Sequence, residues 1–567
     1  MPATGTRRAM RHLDRMSRRP RAVAPAILAV VLTWGLAVTS TGLLSAARKN
    51  AAGPRGADQI EAVRLRADLS FVASDELEGR DTPSRGLDLA ARFIAARLQA
   101  LGLKPAGDED GYFQRFGTTR RTVDPSKATV TLGERTFAFG DDFVGTAPGT
   151  AEGPMVYVGH GYVVKKKDLD AYAGADVTGK IVVAHAGYPD GVTRADLRGD
   201  SGPDTWESPA SYAARHGALG VVLVPDYATL AGWRTSRENA ATARGSLTVD
   251  AFQAGRPVPV PVITASMPLV SAIFTGETIS ASDVARWAQD RKPHAPVALD
   301  EKKRLKLDLG ARVEAVKTQN VVAIYEGADP ALKQEYVALG AHYDHIGIST
   351  SGTDHINNGA DDDGSGTVAL LNMAEALVRG GVRTKRSWLF VWHAGEEKGL
   401  WGSRYFVEHP TVPLDKIVAQ LNVDMIGRSR KAADVTSGGN SSLTGPNETY
   451  VIGSKMMSSG LGALSERVNK EYLDLSFNYK YDEPSDPNRF FFRSDHYNYA
   501  KKGIPIIFYF SGVHADYHRV SDEIGAIDFA KLERVARTIY ATAYAIAEQP
   551  ARPAVDRKLP AQLSTEE

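Results

Sequence analysis

Apolar and polar positions along this chain fall into three successive textures. Residues 60–105 carry apolar side chains at spacings of three and four. The stretch LDLAARFIAARLQALGL (Leu87–Leu103) is the clearest case, and it predicts an amphipathic helix closed by Gly102 and Pro105. From about Pro154 to Met267 short apolar runs are separated by Gly, Pro and Asp: MVYVGHGY (Met155–Tyr162), GKIVVAHAG (Gly179–Gly187), GVVLVPDY (Gly220–Tyr227) and PVPVITAS (Pro259–Ser266). One helical stretch, SPASYAARHGA (Ser208–Ala218), interrupts them, and together they predict a small β-rich domain. From Thr318 onward apolar strands alternate with helical patterns. The strands are NVVAIYEG (Asn320–Gly327), YVALGAH (Tyr336–His342), SWLFVWHA (Ser387–Ala394), IVAQLNVD (Ile417–Asp424) and IPIIFYFSG (Ile504–Gly512). The helices are TVALLNMAEALV (Thr367–Val378) and DFAKLERVARTIYATAYAIAEQ (Asp528–Gln549). Strands that are apolar along their whole length predict an α/β sheet covered on both faces. The polar, Pro-containing tail from Pro550 predicts disorder, and no internal repeat is visible.

The first 50 residues change this picture. Arg7, Arg8, Arg11, Arg15, Arg18, Arg19 and Arg21 precede an uncharged stretch from Ala22 to Ala47, which Arg48 and Lys49 close. A membrane span needs about 20 apolar residues, and this stretch is long enough. Ser45-Ala46-Ala47 also suits a signal-peptide cleavage site. Either reading leaves the basic side in the cytoplasm and exports the remainder, anchored to the outer side of the membrane or secreted. The 567 residues predict two or three domains. With 68 basic and 67 acidic side chains there is no charge imbalance to attract nucleic acid. Cysteine is absent, which excludes disulfides, thiolate nucleophiles and cysteine-ligated metals. A transition-metal site here must be built from His, Asp and Glu.

Five segments of the C-terminal half place such residues at the end of an apolar strand or just after it, the edge where open α/β sheets bind ligands. In GAHYDH, His342 and Asp344 stand two apart, the spacing of an imidazole ligand and the carboxylate that fixes its tautomer, although His-x-Asp is also common by chance. In GADDDGSG (Gly359–Gly366) three carboxylates precede a helix. Outer ones suit helix caps, while a central one held by flanking glycines can point its two oxygens at two metals. In HAGEEKGLWGS (His393–Ser403) two adjacent glutamates leave the backbone in different directions, so one can ligate while the other acts as general base; on a surface helix both would be solvated. Asp424, in NVDMIG, lies in an apolar strand and needs a partner, either a metal or an arginine. His518, in DYHRVSD, follows the last strand, and alone it would be an ordinary loop histidine. The set carries more than any member: His, Asp and Glu are the ligands zinc takes in the absence of cysteine.

The ordered series HxD, GADDDGSG, GEExGLxGS, NxDMIG, SDH and YHxxSD resembles the co-catalytic di-zinc aminopeptidase family, whose relatives include glutamate carboxypeptidases and glutaminyl cyclases. The likeness spans nearly all of residues 60–548, with ASDELEGRDTPSRGLDLAARFIA at its start. DVTGKIVV followed by AARHGALGVVLV resembles a protease-associated domain. The resemblance implies a zinc-peptidase fold with a mixed, mostly parallel sheet flanked by helices, plus that inserted domain. It divides the chain into an anchor or signal (1–50), an N-terminal part of the peptidase domain (60–150), the inserted domain (151–270), the main zinc peptidase domain (300–549) and a disordered tail (550–567). It implies two zinc ions, one held by His342 and Asp424, the other by Glu397 and His518, with Asp362 bridging. Glu396 becomes the general base and Asp344 the group that orients His342, while His496 and Arg493 of RSDHYNY (Arg493–Tyr499) fall near the substrate.

The implied activity is removal of N-terminal residues from peptide substrates. A carboxypeptidase acting on acidic substrates is the alternative. It calls for an arginine-rich pocket, for which Arg493 and Arg428 are the available cations. A glutaminyl cyclase fits less well, because that branch uses one zinc and lacks the insertion. A receptor on the same fold has no use for a base such as Glu396. The preferred N-terminal residue and the oligomeric state stay open at this level.

Overall fold

The computed structural model describes residues 53–567 apart from 198–200, 243–244, 351, 432–441 and 565–567. The proposed anchor or signal at 22–47 therefore lies outside the described residues. Among the described residues no helix is long and apolar enough to cross a membrane.

A twelve-stranded mixed sheet organises the C-terminal half. Its centre is four parallel strands in the order Ser387–His393, Tyr336–His342, Ile417–Val423, Ile506–Phe510. Leu305–Tyr325 joins antiparallel on one side and Glu448–Ile452 on the other. The central strands are buried along their whole length because both faces are covered. The two-residue period sorts the side chains. Trp388, Phe390 and Trp392 enter one core with the helices Gly364–Arg379 and Phe529–Glu548, while Leu389 and Val391 enter another with Phe406, Tyr499 and Phe508. Removing one of these indoles costs about 3–5 kcal/mol, a large part of a typical domain's stability of about 5–15 kcal/mol. The helices start where the sequence caps them: Asp363 accepts from the Gly366 N–H (2.9 Å) and Asp528 from Lys531 (3.1 Å).

A second, six-stranded sheet is built from Phe143–Ala147, Met155–Tyr157, Ile181–His185, Gly220–Val224, Val262–Ala265 and Val297–Ala298, the middle four parallel. It therefore draws on a wider stretch of chain than the expected 151–270. Alternation again supplies two cores: Ile181 and Val183 face one, Val182 and Ala184 the other. Two long antiparallel strands, Phe113–Leu132 and Leu305–Tyr325, run from one sheet to the other. Phe116 and Val321 belong to the core of the large sheet, whereas Val130 and Leu305 belong to that of the small one. Of this pair only Asn320–Gly327 is legible as an apolar run, since the middle of Leu305–Tyr325 is exposed and polar.

The tail expected to be disordered is described in part. Residues 550–564 are described and packed: Arg552 pairs with Glu335 (2.8 Å), Arg557 donates to the Lys455 carbonyl (2.9 Å), and Leu563 is buried against the second core of the large sheet. A few apolar side chains among polar ones suffice to dock a tail that composition alone marks as free.

Candidate metal centre

The C-terminal ends of the four parallel strands converge, and each delivers one chemical segment. His342 closes its strand, Glu396 and Glu397 follow the strand ending at His393, Asp424 follows Val423, and the chain after Phe510 brings Tyr517 and His518. Asp362 arrives from the loop that starts the helix Gly364–Arg379.

Asp362 sits between two histidines, with Oδ1 3.3 Å from His342 Nε2 and Oδ2 3.2 Å from His518 Nε2. Asp424 Oδ1 lies 3.7 Å from the same His342 nitrogen, and Glu397 Oε2 lies 2.9 Å from His518 Nε2. Each oxygen of one carboxylate thus faces its own imidazole and acid pair. The flanking aspartates serve the backbone instead: Asp361 accepts from the Gly427 N–H (2.7 Å) and Asp363 from Gly366 and Met425. Only the central member of the three is left for chemistry.

His342 is fixed on its far side. Its Nδ1 lies 3.1 Å from the main-chain carbonyl of Asp344 and 3.6 Å from that residue's carboxylate, so the carbonyl is the nearer orienting group. The Asp344 carboxylate accepts from Thr82 Oγ1 (3.0 Å) and from the Glu396 N–H (3.2 Å), tying the HxD segment to the two glutamates. Glu396 Oε2 stands 3.8 Å from His342 Nε2.

Arg493 lines the cavity in front of these groups with Met425, Phe490, Phe508, Phe510, Val513 and Tyr517. Its guanidinium lies over the Phe490 ring and 3.3 Å from the Tyr517 hydroxyl. His496 takes a different place. It is fully buried, stacked on Phe508 at 4.5 Å and edge-on to Phe491, and burial pushes its pKa down to about 3. It is a neutral ring behind the cavity wall, and the structure does not bring it together with the ligand set.

Five residues that sequence reasoning passed over belong to this region. Arg80, fully buried, donates to the carbonyls of Val72, Tyr343, Asn358 and Gly359, clamping both ligand loops. Burial lowers its pKa only to about 10, with Asp344 and Asp362 opposing the shift, so it stays charged at neutral pH. It ends the LEGR run of the N-terminal motif, a polar segment in which an arginine reads as solvated. His345, in GAHYDH, places Nδ1 2.8 Å from Glu397 Oε1. Tyr517 faces the cavity one residue before His518. His393 and Asp495 form a buried pair at 3.3 Å, with the Tyr499 hydroxyl 3.0 Å from the other ring nitrogen of His393.

The electrostatics suit bound metal. Asp344, Asp362, Glu396, Glu397 and Asp424 crowd one buried place, where carboxylates survive only beside positive charge. Burial raises Glu396 well above the usual carboxylate range, helped by Glu397 and Asp424 and opposed by His342. For Asp362 burial acts the same way but is outweighed by the hydrogen bonds from His342 and His518, leaving it well below its ordinary value. Burial opposes the charged form of His518, yet Asp362 and Glu397 raise its pKa to about 10. Without metal, His518 therefore carries a proton at pH 7, and a cation taking its place must expel that proton. Zinc binding at pH 7 is expected to release one proton or more per chain, and affinity is expected to fall as the pH is lowered. Titration calorimetry in buffers of different ionisation enthalpy reads the number directly.

Residues 320–543 match the family described as Peptidase family M28. A probable leucine aminopeptidase from Arthroderma benhamiae (strain ATCC MYA-4681 / CBS 112371) is 30% identical over 247 residues, which is 42% of this chain and 61% of that protein. Leupeptin-inactivating enzyme 1 from Streptomyces exfoliatus is 30% identical over 203 residues, 36% of this chain and 37% of that protein. The chain thus spans less than two thirds of the length of these curated relatives. An aminopeptidase from Aneurinibacillus sp. strain AM-1 superposes with a TM-score of 0.48 at 16% identity, covering 89% of this chain and 98% of that one. The matched segment begins within the long strand Leu305–Tyr325 and ends inside the helix Phe529–Glu548, so it contains the candidate ligand segments.

Proposed function

We propose that this chain is a zinc-dependent aminopeptidase that removes N-terminal residues from peptides. The observation that carries the reading is Asp362, whose two oxygens face two separate imidazole and acid pairs while Glu396 stands beside them. His342 and Asp424 would hold one zinc and Glu397 and His518 the other, with Asp362 shared. Zinc bound there supplies Lewis acidity, which acidifies water and polarises a carbonyl. The remaining work falls to the chain. Glu396, its pKa raised by burial, takes the proton of the attacking water and passes it to the leaving amine. Asp344 and Thr82 hold the backbone that aims it. Tyr517, kept neutral by burial and by the acids around it, offers a phenolic O–H to the oxygen that gains charge. Phe490, Phe508, Phe510 and Met425 suit an apolar N-terminal side chain, and the surrounding carboxylates suit a free α-ammonium.

The acidic-substrate carboxypeptidase finds less support. Arg428 is engaged by Asp516 (2.6 Å) and Asp522 (3.4 Å), which leaves Arg493 as the cation that lines the cavity among the described residues. We further read the small sheet as a protease-associated insertion, and the arginine-flanked stretch 22–47 as an anchor or signal that exports the enzyme. The test is a panel of aminoacyl-p-nitroanilides assayed beside N-blocked counterparts, with and without chelator. Cleavage of free-amine leucyl and phenylalanyl substrates alone, lost on chelation and restored by zinc, supports the reading. Turnover of blocked substrates carrying a C-terminal glutamate would replace it with the carboxypeptidase.

A further inference from the structure

His345 is the buried group that the catalytic reading leaves without a task. Its ring is fully buried and fixed in place: a Cβ added to Gly359 would lie 2.6 Å from two of its atoms, so only glycine leaves room for it there. Its main-chain N–H is held by the Arg80 carbonyl (3.2 Å). Nδ1 points at the groups that His518 also faces, 2.8 Å from Glu397 Oε1 and 3.8 Å from Asp362 Oδ2. The two oxygens of Glu397 thus meet two imidazoles, one each. Apart from those carboxylates, neither ring nitrogen of His345 has a hydrogen-bond partner among the described residues. This sets it apart from the structural histidine His393, which Tyr499 holds on its second nitrogen. A buried imidazole anchored by nothing else is costly to keep, unless what it faces is more than a carboxylate. Single ligand atoms of His345, Asp362 and Glu397 lie within 4.8 Å of one another, the spacing that a shared cation requires.

We propose that His345 is a protein ligand of the second metal position, alongside Asp362, Glu397 and His518. The inference rests on the metal-enzyme reading above. It makes the two positions unequal: the first offers one imidazole and two carboxylates, the second two imidazoles and two carboxylates. The two imidazoles also differ. His345 is wholly enclosed, whereas the side chain of His518 is 36% exposed on the loop after the last parallel strand. The second position consequently keeps a metal when His518 is lost and empties when both histidines are lost.

The test is metal titration of the wild type and of His345→Ala, His345→Asn, His518→Ala and the double alanine variant, read by cobalt visible absorption and by bound-metal analysis. We expect two equivalents in the wild type and in His518→Ala. Both His345 variants should weaken one equivalent by more than about 100-fold, beyond the range for an outer-shell group, and alter the cobalt spectrum. The double variant should bind one. His345→Asn is the smaller change, and its melting curve shows whether the fold is intact. Two tight equivalents with the wild-type spectrum in both His345 variants would overturn the proposal, and so would a weaker affinity with an unchanged spectrum, which marks a positioning residue. A wild type that binds no metal would instead overturn the enzyme reading itself.

Discussion

Asp362→Asn is expected to lower kcat/KM by about 10³-fold or more and to reduce bound metal from two equivalents to one or none. The substitution keeps the size of the side chain and one acceptor oxygen but turns the other arm into an N–H donor. Because Oδ1 faces His342 and Oδ2 faces His518, either amide orientation leaves one imidazole opposite a donor. Losing one position therefore loses the pair. Stability should respond in the metal-free protein as well. The folded pKa of Asp362 is depressed, so its ionised form contributes stability above the unfolded value of about 3.9, and that stability is lost as the pH falls through the folded value. The asparagine variant lacks this contribution at neutral pH. Its denaturation midpoint in chelator should lie below that of the wild type near pH 7, and the gap should narrow under strong acid. Two equivalents of metal at wild-type affinity in the variant would remove Asp362 from the bridging role.

The sheet was legible because its central strands are apolar at every position, a pattern that only a doubly covered strand sustains; Tyr336–His342 and Ile417–Val423 stand almost where the apolar runs end. The long strands linking the two sheets were illegible for the opposite reason. The middle of Leu305–Tyr325 is exposed, and the pairing depends on register with a partner distant in sequence, as between Leu305 and Leu132 near one end and Val321 and Phe113 at the other. Residue types at strand ends mark the candidate ligands, and the approach of Asp362 to two histidines follows from where those ends meet. What no pattern announces is the task of His345. His345 stands inside a quoted motif, yet in sequence a second histidine three residues after the first is as ordinary as a solvated one. Only its complete burial and its approach to Glu397 mark it out. His496 is the converse: a histidine in a motif segment that the fold turns into an aromatic wall.

Glu396→Gln is expected to cost about 10²–10⁴-fold in kcat with little change in KM, while both metal equivalents stay bound. The amide keeps the shape and the Glu396 N–H bond to Asp344, so substrate and ligand positions are preserved and only the proton acceptor is lost. The pH profile makes the assignment specific. Burial, with Glu397 and Asp424, raises this carboxyl above its ordinary range, so the wild-type rate should climb with pH as Glu396 deprotonates. In the variant that acid limb should disappear, leaving a low and flatter profile. The geometry also admits a rival role, since Glu396 Oε2 comes within 3.8 Å of His342 Nε2 and one oxygen of Glu396 groups with His342 and Asp424 within ligand range. Metal analysis separates the two. A base that is not a ligand leaves the variant with two equivalents and no turnover, whereas a ligand leaves it with one. If the first position empties in Glu396→Gln, the general base must be sought elsewhere, and Tyr517 does not qualify, because burial keeps its phenol protonated throughout the working pH range. If both equivalents stay bound instead, Glu396 exchanges the proton without giving up a metal, and its loss removes the chemistry while sparing the site.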